Sequence, residues 1–135
     1  MQSALRERES DAFLWHVSVD DFLVPHAEPE RALFRRFVDL VRSCGPVLLA
    51  PASTRVGFQV RMIFASVNRL APGRLDAHVV LARRLENARF HKIESISRRN
   101  HVHHFRISSL EQLDSEVVGW LREAYQVGEQ KHLES

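Results

Sequence analysis

The side chains with the clearest capacity for chemistry are the imidazoles of the run His101-Val102-His103-His104. On a β-strand, His101 and His103 point to one side of the sheet and His104 points to the other. Two imidazoles on one side can bind a metal ion, but a catalytic zinc site usually needs three protein ligands. The alternatives for a third ligand are Asp76, His78 and His91, and their spacing selects none of them. We therefore favour stacking or hydrogen bonding of histidines on a sheet, and we expect no metal site.

A second group, Arg55, Gln59 and Arg61, surrounds one predicted strand. Gln59 and Arg61 share the strand face that points away from the core, and Arg55 lies where the strand begins. The planar guanidinium of arginine binds phosphate or carboxylate through two parallel hydrogen bonds. The candidate ligand-binding residues are Arg55, Gln59, Arg61, Arg99, His101 and His103.

The basic residues are concentrated in the middle of the chain. The net charge is +2, but residues 55–106 carry eleven Arg or Lys against three Asp or Glu, whereas residues 107–135 carry two against six. A concentrated positive region attracts phosphates and nucleic acid. The alternative is a solvated face whose arginines pair with the acidic C-terminal helix.

Nucleophilic and nucleotide-dependent catalysis have little support in the sequence. Cys44 lies at the end of a predicted helix, where the helix dipole disfavours a thiolate. Ser53 and Thr54 lack a nucleophile elbow, and neither a Walker A loop nor G-x-G-x-x-G is present. We expect no catalytic residue and no cofactor.

The hydrophobic periodicity predicts an α+β fold. Apolar residues three and four apart predict a helix from Glu30 to Cys44, and a second helix from Leu110 to about Val127 begins at a Ser109/Gln112 capping box. Between them we expect an antiparallel meander of about five strands, with both helices on one sheet face. The predicted strands are residues 47–50, 56–67, 75–82, 92–97 and 101–108.

The N-terminal region is predicted to be an extension that docks partly on this domain. Residues 29–135 form the single domain, and residues 1–28 form the extension. Ser18 and Asp21 resemble a capping box, so a short helical turn is expected there. Phe13, Trp15, Phe22 and Leu23 are expected to cover part of the core. The first residues lack the apolar core of a signal peptide and no apolar run has the length of a membrane span, so we expect a cytoplasmic location and no membrane partner.

Three segments of the sequence resemble the bacterial domain-of-unknown-function 5655 family: Thr54-Arg55 with Phe58-Gln59-Val60-Arg61, the stretch from Arg98 to Phe105, and the helix end from Leu121 to Gly128. The likeness extends over residues 33–133, about three quarters of the chain. Related modules are fused to nuclease-like or restriction-associated proteins, which implies a role near nucleic acid. The order of elements is also similar to small DNA-binding domains of the MmcQ/YjbR kind.

Two departures from the family pattern limit what the resemblance implies. Members often carry an N-terminal zinc-knuckle-like segment with paired cysteines, whereas this chain has no cysteine up to His16, so no such zinc site can be transferred. Members often read Pro-Thr-Lys-Thr-Arg before the long strand, and here Ser53 stands at the lysine position.

The leading hypothesis is a non-enzymatic binding module whose basic sheet face accepts an anionic ligand, with nucleic acid as one candidate. The first alternative is a structural or protein-interaction domain, such as a homodimer that pairs an exposed strand edge. The third hypothesis is a small metal-assisted hydrolase that uses the histidines.

Overall fold

The computed structural model describes residues 18–130 and confirms the α+β class. Three α-helices are present in this range: α1 (Val19–Leu23), α2 (Glu28–Arg42) and α3 (Ser115–Gly128). A 3₁₀ turn, Leu110–Gln112, precedes α3. The strands are β1 (Leu48–Pro51), β2 (Val56–Gln59), β3 (Ile63–Ala71), β4 (Arg74–Leu81), β5 (Phe90–Ser97) and β6 (Asn100–Ile107).

The six strands form one antiparallel sheet in the order β1-β2-β3-β4-β6-β5. The first four strands follow one another as a meander. The chain then bypasses one position to place β5 at the edge, and it returns through the two-residue turn Arg98-Arg99 so that β6 lies between β4 and β5. The sheet therefore ends at β1 on one side and at β5 on the other.

Helices α2 and α3 both pack on one face of this sheet, as the sequence predicts. Alternate residues of β4, from Leu75 to Leu81, point at the helices and are at most 1% exposed. The ring of Phe37 from α2 lies 5.6 Å from that of Phe58, and the ring of Trp120 from α3 lies 5.2 Å from that of Phe105. Burial of these rings, together with the aliphatic residues of the same core, supplies the driving force that holds the two layers together.

The prediction of a single strand over residues 56–67 was wrong. The chain reverses at residues 60–62, because the backbone N–H groups of Arg61 and Met62 donate to the carbonyl oxygen of Gly128 at 2.9 and 3.1 Å. This helix end, distant in sequence, replaces the ladder bonds of a continuous strand. The next strand, β3, extends to Ala71 and turns at Gly73, whose φ is +70°. The sheet therefore has six strands where about five were expected.

The predicted start of the last helix was also wrong. Ser109 makes no capping bond, and the helix begins at Ser115, where the side chain of Asp114 accepts from the N–H of Val117. The Gln112 side chain instead accepts from the N–H of Ser108 at 2.6 Å. Because Leu113 has ψ of 72°, the turn at Leu110–Gln112 does not continue into α3.

The start of the described chain agrees with its prediction. The Ser18 hydroxyl accepts from the N–H of Asp21, and the Asp21 carboxylate accepts from the N–H of Ser18, so the capping box is confirmed. Phe22 is 1% exposed and its ring lies 5.3 Å from that of Phe34, which anchors α1 to α2. The predicted contacts of Phe13 and Trp15 lie outside the described residues.

Two glycines of α3 form a matched test of how closely this helix approaches the sheet. A Cβ at Gly128 would lie 2.6 Å from the Phe64 ring, so we expect Gly128→Ala to lower the free energy of unfolding by about 1–3 kcal/mol. At Gly119 nothing lies within 4 Å, and Gly119→Ala should raise that free energy by about 0.5–1 kcal/mol through helix propensity. Urea unfolding of both variants checks the pair. Equal effects would contradict the close approach of α3 at Gly128.

Candidate functional site

The sheet face turned away from α2 and α3, here called the open face, is polar and basic. The strand register places one residue in two on this face, and many of these residues are charged or are histidines. They include Arg69, Arg74, Asp76, His78, Lys92, Glu94, His104 and Arg106. With Arg55, this set has five cationic side chains against two carboxylates, so the open face carries a positive excess even with neutral histidines.

A cleft of about 710 Å³ crosses the open face from the loop before β2 to β5. Its lining residues come from that loop and from β3, β4, β6 and β5 in turn: Ala52, Thr54, Arg55, Asn68, His78, Glu94, Val102 and His104. Because each strand contributes one or two side chains, the pairing of the sheet positions the cleft. In that pairing His78 lies directly opposite His104, and His104 lies opposite Lys92.

Arg55 and Asn68 form the end of the cleft nearest β2. Arg55 is exposed, and within residues 18–130 no hydrogen bond or ion pair engages its guanidinium. Its carbonyl accepts from the N–H of Ala52 at 2.7 Å, which fixes the loop that presents it. Asn68 is the extra residue of a β-bulge between the pairs Val67↔Ala77 and Arg69↔Asp76, so the bulge determines where the amide lies.

Two histidines and a carboxylate line the cleft from its centre to its β5 end. The His104 Nε2 lies 2.7 Å from Glu94 Oε1, and the His78 and His104 rings are 5.4 Å apart in an edge-to-face arrangement. The hydrogen bond from His104 and the charge of Lys92 lower the pKa of Glu94, which keeps it ionised. This contact orients the imidazole of His104.

His78 is uncharged at neutral pH. Its burial, followed by electrostatic interactions with His104 and Arg55, lowers its pKa from 6.5 to about 4. The Nδ1 atom is buried and has no hydrogen-bond partner among the described residues. A buried nitrogen of this kind is poorly satisfied.

Two arginines next to the cleft, Arg74 and Arg106, are bound to Asp76. The Arg74 Nε lies 2.8 Å from Asp76 Oδ1, and the Arg106 Nε lies 3.5 Å from the same oxygen. These contacts partly neutralise the row beside the cleft, and they leave Arg55 as the cation of the cleft that is not paired within the described chain.

Two of the candidate histidines are held by hydrogen bonds within the protein. His103 is fully buried: its Nε2 accepts from the N–H of Leu85 at 2.9 Å, and its Nδ1–H donates to the carbonyl of His101 at 2.9 Å. The ring nitrogens of His101 bind the Ser95 hydroxyl at 2.8 Å and the Arg98 carbonyl at 3.0 Å. As the alternation predicts, His101 and His103 share one face, which is the face covered by the helices.

The remaining candidates lie away from the cleft. Gln59 is the last residue of β2, Arg61 is in the turn after it, and Arg99 is in the turn between β5 and β6. Arg55 alone of the six candidates lines the cleft. Sequence reasoning missed Asn68, Glu94 and the role of His104. The sequence did carry a signal for His104. Side chains alternate along a strand, so His104 points away from the face of His103, and this is the face on which His78 lies.

Part of the basic character of residues 55–106 is neutralised by α3, as the alternative interpretation holds. Arg83 pairs with Glu123 at 3.0 Å. Arg89 binds Asp114 at 3.1 Å and Glu116 at 3.0 Å, and its guanidinium lies 5.2 Å from the centroid of the Trp120 ring. These contacts attach the loop between β4 and β5 to the helix, so Arg83 and Arg89 have structural roles.

Two other kinds of feature are absent from the described part of the chain. Among residues 18–130, no group of three His, Cys, Asp or Glu side chains is arranged to hold a metal ion. Within the same range, no helix has the length and apolar character needed to cross a membrane.

The fold and the cleft define a two-layer α+β module with a basic, histidine-containing site on its open sheet face. The chain belongs to the family described as Domain of unknown function (DUF5655), whose model matches residues 19–128. This match confirms the resemblance given by the three sequence segments. No curated protein and no solved structure matches the chain.

The lowered pKa of His78 predicts acid sensitivity. Below pH 6.5 the unfolded chain binds a proton at this residue while the folded chain does not, so stability falls as the pH drops from about 6.5 to about 4. We expect the free energy of unfolding to fall by about 2 kcal/mol between pH 7 and pH 5 through His78. Burial lowers the pKa of His103 as well, which adds to the same trend.

Urea unfolding at the two pH values, in buffers without phosphate, measures this effect. The variant His78→Gln should lose much less stability than the parent over the same interval. An identical pH dependence in parent and variant would contradict the neutral, buried state of His78.

Proposed function

We propose that this protein is a binding module that holds a phosphate-bearing ligand in the open-face cleft, and that the ligand is single-stranded nucleic acid. The observation that carries the proposal is Arg55, an exposed guanidinium without a partner in residues 18–130, placed beside the neutral imidazole of His78. A guanidinium next to hydrogen-bonding side chains is a common arrangement for recognition of phosphate.

The other side chains of the cleft support an anionic ligand. Asn68 and Thr54 add neutral donors close to Arg55. Glu94 is the carboxylate of the cleft; it is hydrogen-bonded to His104 at 2.7 Å, and its charge is offset by Lys92 at 3.6 Å. The phosphate is therefore expected at the Arg55 end, and the paired Glu94 and His104 form the opposite wall.

The shape of the cleft favours an extended polymer over a small anion. Besides the loop before β2, four neighbouring strands line it, and their three spacings of about 4.8 Å correspond to roughly 14 Å. This length accommodates a short run of nucleotides. No Phe, Tyr or Trp lines the cleft, so base stacking on large aromatic rings contributes little. We expect binding that follows the backbone, with weak sequence preference and strong dependence on salt.

Fluorescence anisotropy with labelled single-stranded DNA and RNA, across a salt series, tests the proposal. We expect saturable binding that weakens steeply as salt rises, because phosphate contacts release counterions. Arg55→Ala should weaken binding roughly tenfold or more and reduce the salt dependence by about one phosphate contact.

The chain provides a matched control for this variant. Arg61→Ala removes the same exposed side chain from the opposite end of β2, outside the cleft, and should change affinity by less than about threefold. Equal losses in the two variants would show that binding follows net charge and not the cleft. Absence of binding at low salt would refute nucleic acid as the ligand.

A further inference from the structure

The two edges of the sheet differ in their capacity to pair with another strand. The edge strand β1 has four residues and ends at Pro51, which has no N–H to donate. The other edge strand, β5, has eight residues and contains no proline; register shifts at His91 and Ile96 leave Lys92–Ser95 as its regular stretch. Among residues 18–130 no strand lies beyond β5, so within this range it is an edge strand available for pairing.

The charges of β5 alternate around a central apolar residue. Lys92 and Glu94 lie on the open face, where their register partners on β6 are His104 and Val102. Ile93 lies between them on the face covered by the helices, and it packs against the core. When two copies of this strand run antiparallel with Ile93 opposite Ile93, each Lys92 lies opposite a Glu94. The pattern is therefore complementary to itself.

We propose that β5 pairs antiparallel with β5 of a second copy of this chain, about a twofold axis that is perpendicular to the sheet and passes midway between the two copies of Ile93. In this register Lys92 lies opposite Glu94 of the partner subunit, and Glu94 lies opposite Lys92 of the partner subunit. The contact uses the same surface on both copies, as a closed dimer requires.

The charges exclude the neighbouring registers. A shift by two residues in one direction places Lys92 opposite Lys92 of the partner subunit. A shift by two residues in the other direction places Glu94 opposite Glu94 of the partner subunit. Like charges directly opposite each other destabilise an antiparallel pair. A shift by one residue would bring side chains of opposite sheet faces together. The register centred on Ile93 is therefore favoured over its neighbours.

The dimer joins two six-stranded sheets into one continuous sheet of twelve strands. The helices of both copies lie on one side, and the two clefts lie on the other, each with Glu94 close to the axis. This inference does not rest on the proposed function, because the edge pairing involves no ligand.

Sedimentation velocity over a concentration series at low salt, without any ligand, tests the pairing. We expect the parent chain to form a dimer. Lys92→Glu and Glu94→Lys should each weaken self-association roughly tenfold or more, because two attractive cross-strand pairs become repulsive. An equimolar mixture of the two variants should recover the dimer, since every Glu then faces a Lys.

The mixture separates loss of pairing from loss of folding, because unfolded variants would not restore a dimer. Arg84→Glu is a matched control: it reverses an exposed charge of a comparable ion pair, with Glu86, in the loop before β5, and it should leave self-association unchanged. A parent chain that remains monomeric at all concentrations would overturn the proposal. So would variants that dimerise like the parent, or a mixture that stays monomeric.

Discussion

Burial of a single face of the sheet is the constraint on which the rest of this structure depends. Helices α2 and α3 cover one side and bring Phe37, Phe58, Phe105 and Trp120 into one aromatic layer. Side chains alternate along a strand, so the residue next to each strand residue buried in that layer points to the open face. The cleft is thus the reverse side of the core, and each histidine in it is adjacent in sequence to a buried residue.

The same constraint explains what the sequence could predict. Alternation over β4, apolar spacing in α2 and the Ser18/Asp21 capping box depend on neighbouring residues, and all three were predictable. The turn at residues 60–62 was not, since its N–H groups bind Gly128, which is more than sixty residues away in sequence. The bulge that positions Asn68 likewise depends on pairing with β4, which local sequence does not encode.

The candidate site was only partly predictable for a related reason. Arg55 was identified from its type and its place before a strand, and it lines the cleft. His103 was selected for the same kind of reason, yet its ring is satisfied by Leu85, a residue of the loop before β5. Residue type indicates what a side chain can do, whereas its partners determine whether that capacity is already used. Tertiary contacts determine the role of each basic residue. Arg83 and Arg89 bind acidic side chains of α3 and its N-cap, other arginines pair with Asp76, and Arg55 lines the cleft.

The alternation of His103 and His104 has a practical consequence for spectroscopy. His103 is sealed in the core with its Nδ1–H donated to a carbonyl, so this proton should exchange slowly with water. The next ring along the chain, His104, faces the cleft. One strand therefore carries two adjacent imidazole reporters on opposite sides of the sheet, one sensitive to the integrity of the core and the other to occupancy of the cleft. A single NMR titration that follows both rings distinguishes a ligand that enters the cleft from one that loosens the fold.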